Sequence, residues 1–283
     1  MSPPRLNILF IATLLSGCMS IVEIAAPPHF EGFEDPSWVA NQVNNWQNYN
    51  GGKIQRVPSG TAGITSSSGS AHAVLYDLVN QNNVFGVPTL GAQNVYTRFG
   101  GYSNEFNGGF VASIDIYLDP SWSDGQGFDY SVAANRQDGN HLRDFIWHVG
   151  KHNGNLLVNA SNNSDYSFNS FKLLNENGGN NHTVSSAGWY TFEHLFYDNA
   201  GALAVDLNLY DSVGNSLYSV TRSNVADNIA AIVGGNRYGW FTYANIDGLA
   251  IDNTSLLAVP EPTAVALAGI AALGLASVRR RRS

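Results

Sequence analysis

Between Phe30 and Leu256 the apolar residues recur at every second position in short runs, broken by Gly, Asn and Asp. A period of two sends side chains alternately to the two faces of an extended strand, so this region reads as strand rather than helix. The cleanest run is Phe110, Ala112, Ile114, Ile116 and Leu118, with Ser113, Asp115 and Tyr117 on the other side. After a turn over 119–127 the alternation resumes at Phe128, Tyr130 and Val132, then at Phe145, Trp147 and Val149, and again over 156–160. Trp189, Thr191, Glu193, Leu195 and Tyr197 run into Asp198-Asn199-Ala200-Gly201; Leu203, Val205, Leu207 and Leu209 return, and 217–222 follows a turn at 211–215. Those three segments predict a meander. An opening strand is expected over 30–35, a short one over 73–78, and a closing pair over 237–243 and 245–255. The Gly/Ser/Thr-rich stretch 59–70 predicts a surface loop.

Many short strands joined by Gly, Asn and Asp turns predict an all-β, two-sheet antiparallel sandwich. The run of features from F-E-G-F-E-D at residue 30 to W-F-T-Y-A-N-I-D-G-L-A-I-D-N at residue 240 resembles the concanavalin A-like jelly rolls of exported bacterial proteins. A galactose-binding-type jelly roll is the rival topology. No internal repeat and no second boundary precede Ala258.

The two ends change the picture. Residues 259–283 join a stiff Val259-Pro260-Glu261-Pro262 segment, an uncharged apolar run from Thr263 to Val278 and the basic block Arg279, Arg280, Arg281, Arg282. As a helix the 16-residue run spans ~24 Å at 1.5 Å per residue, against a bilayer core of ~30 Å, so it predicts a single weak transmembrane helix. Four arginines at its end hold that end in the cytoplasm and place the bulk of the chain outside. The two prolines keep 259–263 extended, as a processing enzyme would need. This three-part tail resembles the PEP-CTERM sorting signal. The resemblance implies that an exosortase recognises Pro260-Glu261-Pro262 and that the protein is its substrate, processed at the inner membrane and passed to the surface or matrix of a Gram-negative bacterium.

At the front, Arg5 precedes the apolar run Leu6–Leu15, which reads as a secretory signal peptide over residues 1–26. Cleavage after Ala26 competes with a reading of Leu15-Ser16-Gly17-Cys18 as a lipobox, in which Cys18 carries lipid. Cys18 is the only cysteine, so cleavage after Ala26 leaves no disulfide, thiolate metal site or cysteine nucleophile behind it. The expected layout is signal peptide 1–26, sandwich 30–256 and sorting tail 259–283.

Charge narrows the partners. Residues 30–256 hold 9 basic and 20 acidic side chains, a net charge of about −11. Such a surface repels phosphate backbones, which excludes nucleic acid and favours calcium or neutral sugars. If the first and last strands pair, Glu31, Glu34 and Asp35 come near Asp247 and Asp252, and a structural Ca2+ held by these acids is one expectation; ordinary strand-end acids are the other. Asp119, Asp124 and Asp129 form a second acidic stretch without EF-hand spacing.

Sugar rings stack on aromatic faces, and Trp122, Tyr130, Trp147, Trp189, Tyr238, Trp240 and Tyr243 supply such faces. Trp240 with Arg237 and Asn236 is the favoured glycan-binding set. The E-x-D-x-x-E pattern of concanavalin A-like glucanases is absent, His148 and His152 straddle Gly150, and no G-x-S-x-G or H-E-x-x-H occurs. No catalytic residue is assigned. The chain reads as an exported envelope or exopolysaccharide-matrix protein with a binding or structural sandwich; a polysaccharide-active hydrolase of the same fold and a lipoprotein anchored through Cys18 are the alternatives.

Overall fold

The computed structural model describes residues 29–42, 45–49, 51–76, 93–97, 99, 105–106, 108–136, 138–162, 180–228, 232–233, 237–242, 244, 246 and 248–259. Every regular element in them longer than one turn is a strand. In chain order these are β1 (His29–Glu31), β2 (Trp46–Gln47), β3 (Lys53–Pro58), β4 (Ala71–Tyr76), β5 (Gln93–Thr97), β6 (Glu105–Phe106), β7 (Phe110–Leu118), β8 (Gly127–Asn135) and β9 (His141–His152). There follow β10 (Asn155–Asn162), β11 (His182–Val184), β12 (Gly188–Asn199), β13 (Ala202–Asp211), β14 (Ser216–Asn228), β15 (Ile232–Val233), β16 (Gly239–Thr242) and β17 (Leu249–Ala258).

Two large antiparallel sheets result, with β15 and β6 paired apart from them. The first runs β14-β13-β12-β7-β17-β4-β3, with β1 also paired to β17; the second runs β11-β10-β9-β8-β16-β5-β2. The predicted meander is β12, β13 and β14, and β7 buries its apolar residues at every second position as its pattern requires. First and last strands do lie together, with His29 opposite Leu256 and Glu31 opposite Thr254.

The opening strand stops sooner than its F-E-G-F-E-D pattern suggests. Phe33 adopts a positive φ of 58° and its N–H donates to the Glu31 carboxylate at 2.6 Å, which turns the chain out of the sheet. The last strand begins at Leu249, four residues later than expected, and continues to Ala258.

The sheets pack face to face through aromatic side chains. Trp147 on β9 and Phe128 on β8 meet Phe192 of the other sheet edge-on, with ring centroids 5.4 and 6.4 Å apart. Phe145 meets Phe196 in the same way at 5.3 Å. Rings of this size contribute most of the area removed from water, which lets a sandwich without disulfides hold together. The outward side of the second sheet is unusual. β8 is buried along both faces, so Asp129 and Ser131, which alternate with Phe128 and Tyr130, are as shielded as the core.

Candidate functional site

Strand register collects the polar side chains of the second sheet's outer face into two adjacent rows. One runs Gln47, Tyr96, Trp240, Ser131, Ile146, Ser161 across β2, β5, β16, β8, β9 and β10. The next runs Thr242, Asp129, His148, Asn159. β16 sits close to its neighbours because residue 239 is glycine: a Cβ there would meet the Tyr130 hydroxyl at 2.9 Å and Thr97 Cγ2 and Trp46 Cη2 at 3.2 Å. That approach fixes the height of Trp240 on the face.

Trp240 is half-buried, and the Arg237 guanidinium lies 4.1 Å from its ring centroid and 5.3 Å from that of Tyr96. A cation on a ring face is held by the ring quadrupole. The Trp240 Nε1–H is buried and has no hydrogen-bond acceptor among the described residues.

On the same face, the Nδ1 of His148 lies 2.7 Å from Asp129 Oδ1 and its Nε2 lies 2.6 Å from Ser161 Oγ. The three residues come from three successive strands and lie 19 and 13 positions apart in the chain. Asp129 therefore belongs to a strand, not to an acidic loop with Asp119 and Asp124. No short motif announces the trio; its only sequence signal is a polar residue at alternate positions of strands whose other face is apolar.

The first sheet carries a different polar cluster on its outer side. The loop between β3 and β4 folds across it as a strap. Ser70 and Ala71 donate backbone N–H groups to Glu34, and Ser70 adds its hydroxyl at 2.8 Å. Asp115 and Asp252 stand opposite each other on β7 and β17, and the strap and its neighbours take all four of their oxygens. Thr191 Oγ1 donates to Asp115 Oδ1 at 2.6 Å, and Ser67 Oγ and Asn253 Nδ2 donate to Oδ2 at 2.6 and 2.8 Å. Asn253 N and Ser68 N serve Asp252 at 2.9 and 3.2 Å. Burial, with a smaller contribution from the Asp115 charge, pushes the Asp252 carboxyl up to about 6, whereas the bonds from Ser70 hold Glu34 below the usual carboxylate range.

Of the acids expected to share calcium, the four that are described each go to partners of their own. Glu31 accepts from Phe33 N and Trp38 Nε1, Glu34 ties down the strap, Asp35 caps Ser37, and Asp252 faces Asp115. Among the described residues no group of three or more His, Cys, Asp or Glu side chains is placed to hold a metal ion. Asp247, Asn236, Tyr243, Cys18, Pro260, Glu261, Pro262 and Arg279 to Arg282 lie outside the described residues. Val259 is inside them, and its N–H donates to the Gly109 carbonyl at 2.9 Å.

Of the other aromatic candidates, Tyr130, Trp147 and Tyr238 are fully buried in the core, and Trp122 packs on Phe128. Trp189 donates to Thr65 O beneath the strap.

Residues 258–282 match the PEP-CTERM protein-sorting motif. The motif marks an exported protein sorted by an exosortase. Among solved structures, the chain is similar to the exoplasmic/lumenal domain of VIP36 in its Ca2+/Man2-bound form, at 9% identity over 74% of this chain and 81% of that one, TM-score 0.38. It is also similar to the CBM2 module of the evolved Dit of Lactobacillus casei BL23 phage J-1, at 11% identity over 83% of this chain and 96% of that one, TM-score 0.35. Similarities at this level bear on neither topology in detail nor ligand. No curated protein sequence matches the chain. The class is therefore an exported all-β protein of two antiparallel sheets, and its particular mark is the sorting tail.

Proposed function

We propose that this chain is a non-catalytic glycan-binding protein of the Gram-negative cell envelope or exopolysaccharide matrix, with a concanavalin A-like jelly roll over 30–256. Residues 1–26 are its signal peptide, cut after Ala26, with lipidation at Cys18 as the competing route. Thr263 to Val278 crosses the inner membrane until an exosortase processes the chain at Pro260-Glu261-Pro262, and Arg279 to Arg282 stay in the cytoplasm.

The observation that supports binding is the Arg237 guanidinium, 4.1 Å from the Trp240 ring centroid and 5.3 Å from that of Tyr96, on a face rich in amides and hydroxyls. One ring face of Trp240 is thus taken by the cation. A sugar meets the guanidinium edge and the remaining aromatic surface, with Ser131 and Thr242 in register beside it. Asn236 completes the set. Binding of this kind needs oriented donors and a ring, not a charged groove.

A glycan-array screen of the full chain, followed by titration of the best ligand into Trp240→Ala and Arg237→Ala, tests the reading. Weaker binding in both variants is expected; unchanged binding in both removes this face as the site. Sorting is tested separately by fractionating cells that carry Pro260→Ala and Pro262→Ala together. The doubly substituted chain is expected to stay in the inner membrane at full length.

A further inference from the structure

We propose that two copies of this chain join edge to edge, β14 pairing antiparallel with β14 of the other copy about a twofold axis at Thr221. This interaction goes beyond glycan binding and does not depend on it.

A strand at the margin of a sheet leaves a row of N–H and C=O groups open to another chain, and proteins blunt such margins with short strands, prolines and charges. Three of the four margins of the two large sheets are blunted in these ways. β11 and β2, which end the second sheet, have three and two residues. β3, at one end of the first sheet, carries Lys53, Arg56 and Pro58 within six residues. β14, at the other end, is 13 residues long, the longest strand described, and holds neither lysine nor proline. Among the described residues no strand pairs with its outer side. Its side chains also meet water: Ser219, Thr221, Ser223 and Val225 are exposed, Val225 by 84%.

Charge and symmetry favour a second copy as the occupant. Residues 30–256 carry about −11, so two copies repel each other across most of their surfaces. β14 adds nothing to that repulsion, because its only charges are Arg222 and Asp227. Both are engaged within the chain, Arg222 with the Ala160 carbonyl at 2.8 Å and Asp227 with Arg143 at 2.6 and 2.8 Å.

A twofold axis normal to the sheet sets the strand against its own reverse, and opposed residues then point to the same face. With the axis at Thr221, that residue meets Thr221 of the other copy, Ser219 meets Ser223, Val220 meets Arg222 and Leu217 meets Val225. No like charges oppose each other, and the most exposed large apolar side chain among the described residues gains a cover. The register of β14 on β13 is unbroken from Tyr218 to Ser223, so the regular middle of the strand lies at the axis and the irregularities fall outside it. The two first sheets then run on as one across the axis.

Mild oxidation of the full chain, read by non-reducing electrophoresis, tests the pairing; Cys18→Ser in every sample leaves an introduced thiol as the only one. Opposed Cα atoms on antiparallel strands lie ~4.5–5.5 Å apart, inside the range a disulfide spans. Thr221→Cys is therefore expected to link into dimers. Ser219→Cys alone is expected not to link, because its two copies stand roughly 13 Å apart along the strands, but to link when mixed with a Ser223→Cys chain. In Val225→Lys, with the melting temperature unchanged, the dimer fraction in analytical ultracentrifugation is expected to fall. A full chain that sediments as a monomer at every concentration overturns the proposal. So does linking of Ser219→Cys equal to that of Thr221→Cys, which random collision would give.

Discussion

His194 is held in the core beside Phe196 and Tyr130, with its Nε2–H donated to the Phe145 carbonyl at 3.2 Å. Burial drops its pKa to about 3. The unfolded chain takes up a proton here below about 6.5 while the folded chain refuses it, so this residue costs stability as pH falls from about 6.5 towards 3. The slope is ~1.4 kcal/mol per pH unit from this one group. Asp252 works the other way: its raised folded value means protonation favours the folded state, and its contribution grows as pH falls from about 6 to the ordinary carboxylate value. Thermal melts from pH 7.5 to 4 are expected to show falling stability that flattens in His194→Phe. At the binding face, Trp240→Ala removes the surface on which Arg237 rests, and glycan affinity measured by calorimetry is expected to drop roughly 2- to 30-fold. Single residues were the least legible feature of the sequence. Trp240 and Arg237 could be named because an aromatic and a guanidinium group stand three residues apart at a short strand, whereas Asp129, His148 and Ser161 meet only once three strands have found their register.

The elements were legible where one face is apolar and the other polar, as in β7 and the β12–β14 meander. β8 and β9 break that rule, since their polar alternates are buried too, and a pattern of polar and apolar positions cannot distinguish a shielded polar face from a wet one. The strap between β3 and β4 reads in sequence as a loose Gly/Ser loop, yet carboxylates remote in the chain fasten it. Two outcomes follow. In Asp115→Asn, the Asp252 titration followed by carboxyl NMR is expected to move down but to stay above the ordinary aspartate value, because burial is the larger cause of its shift. In Gly69→Ala, the new Cβ would sit 2.2 Å from Glu34 Oε1, at a residue whose φ is +61°. Glu34 must then release its donors, and the amides of Ser70 and Ala71 are expected to exchange with solvent faster, as hydrogen-exchange mass spectrometry can follow.

At the scale of the whole molecule, β17 is the member that joins the first sheet. It pairs with β7, β4 and β1 together, and without it no strand of the β14-β13-β12-β7 half pairs with β4 or β3 among the described residues. A chain ending at Gly248 is therefore expected to show no cooperative thermal transition by circular dichroism, while one ending at Ala258 melts as a unit. That the strands alternate and that the fold is all-β could be read from the residues; that the last strand lies in the middle, between β7 and β4, could not, because pairing across more than a hundred residues leaves no local trace.

The final rung of that strand has a consequence for release. Val259 is still bonded to Gly109, and Pro260 is the very next residue, so no residue of the chain separates that bond from the Pro-Glu-Pro segment. If processing falls at Pro260-Glu261-Pro262 as proposed, the exosortase must bring its cleft flush with the wall of the sandwich, or wait for Val259 to peel away. On the second course the rate of shedding is governed by fraying at one peptide group, and a few inserted glycines after Ala258 would hasten it.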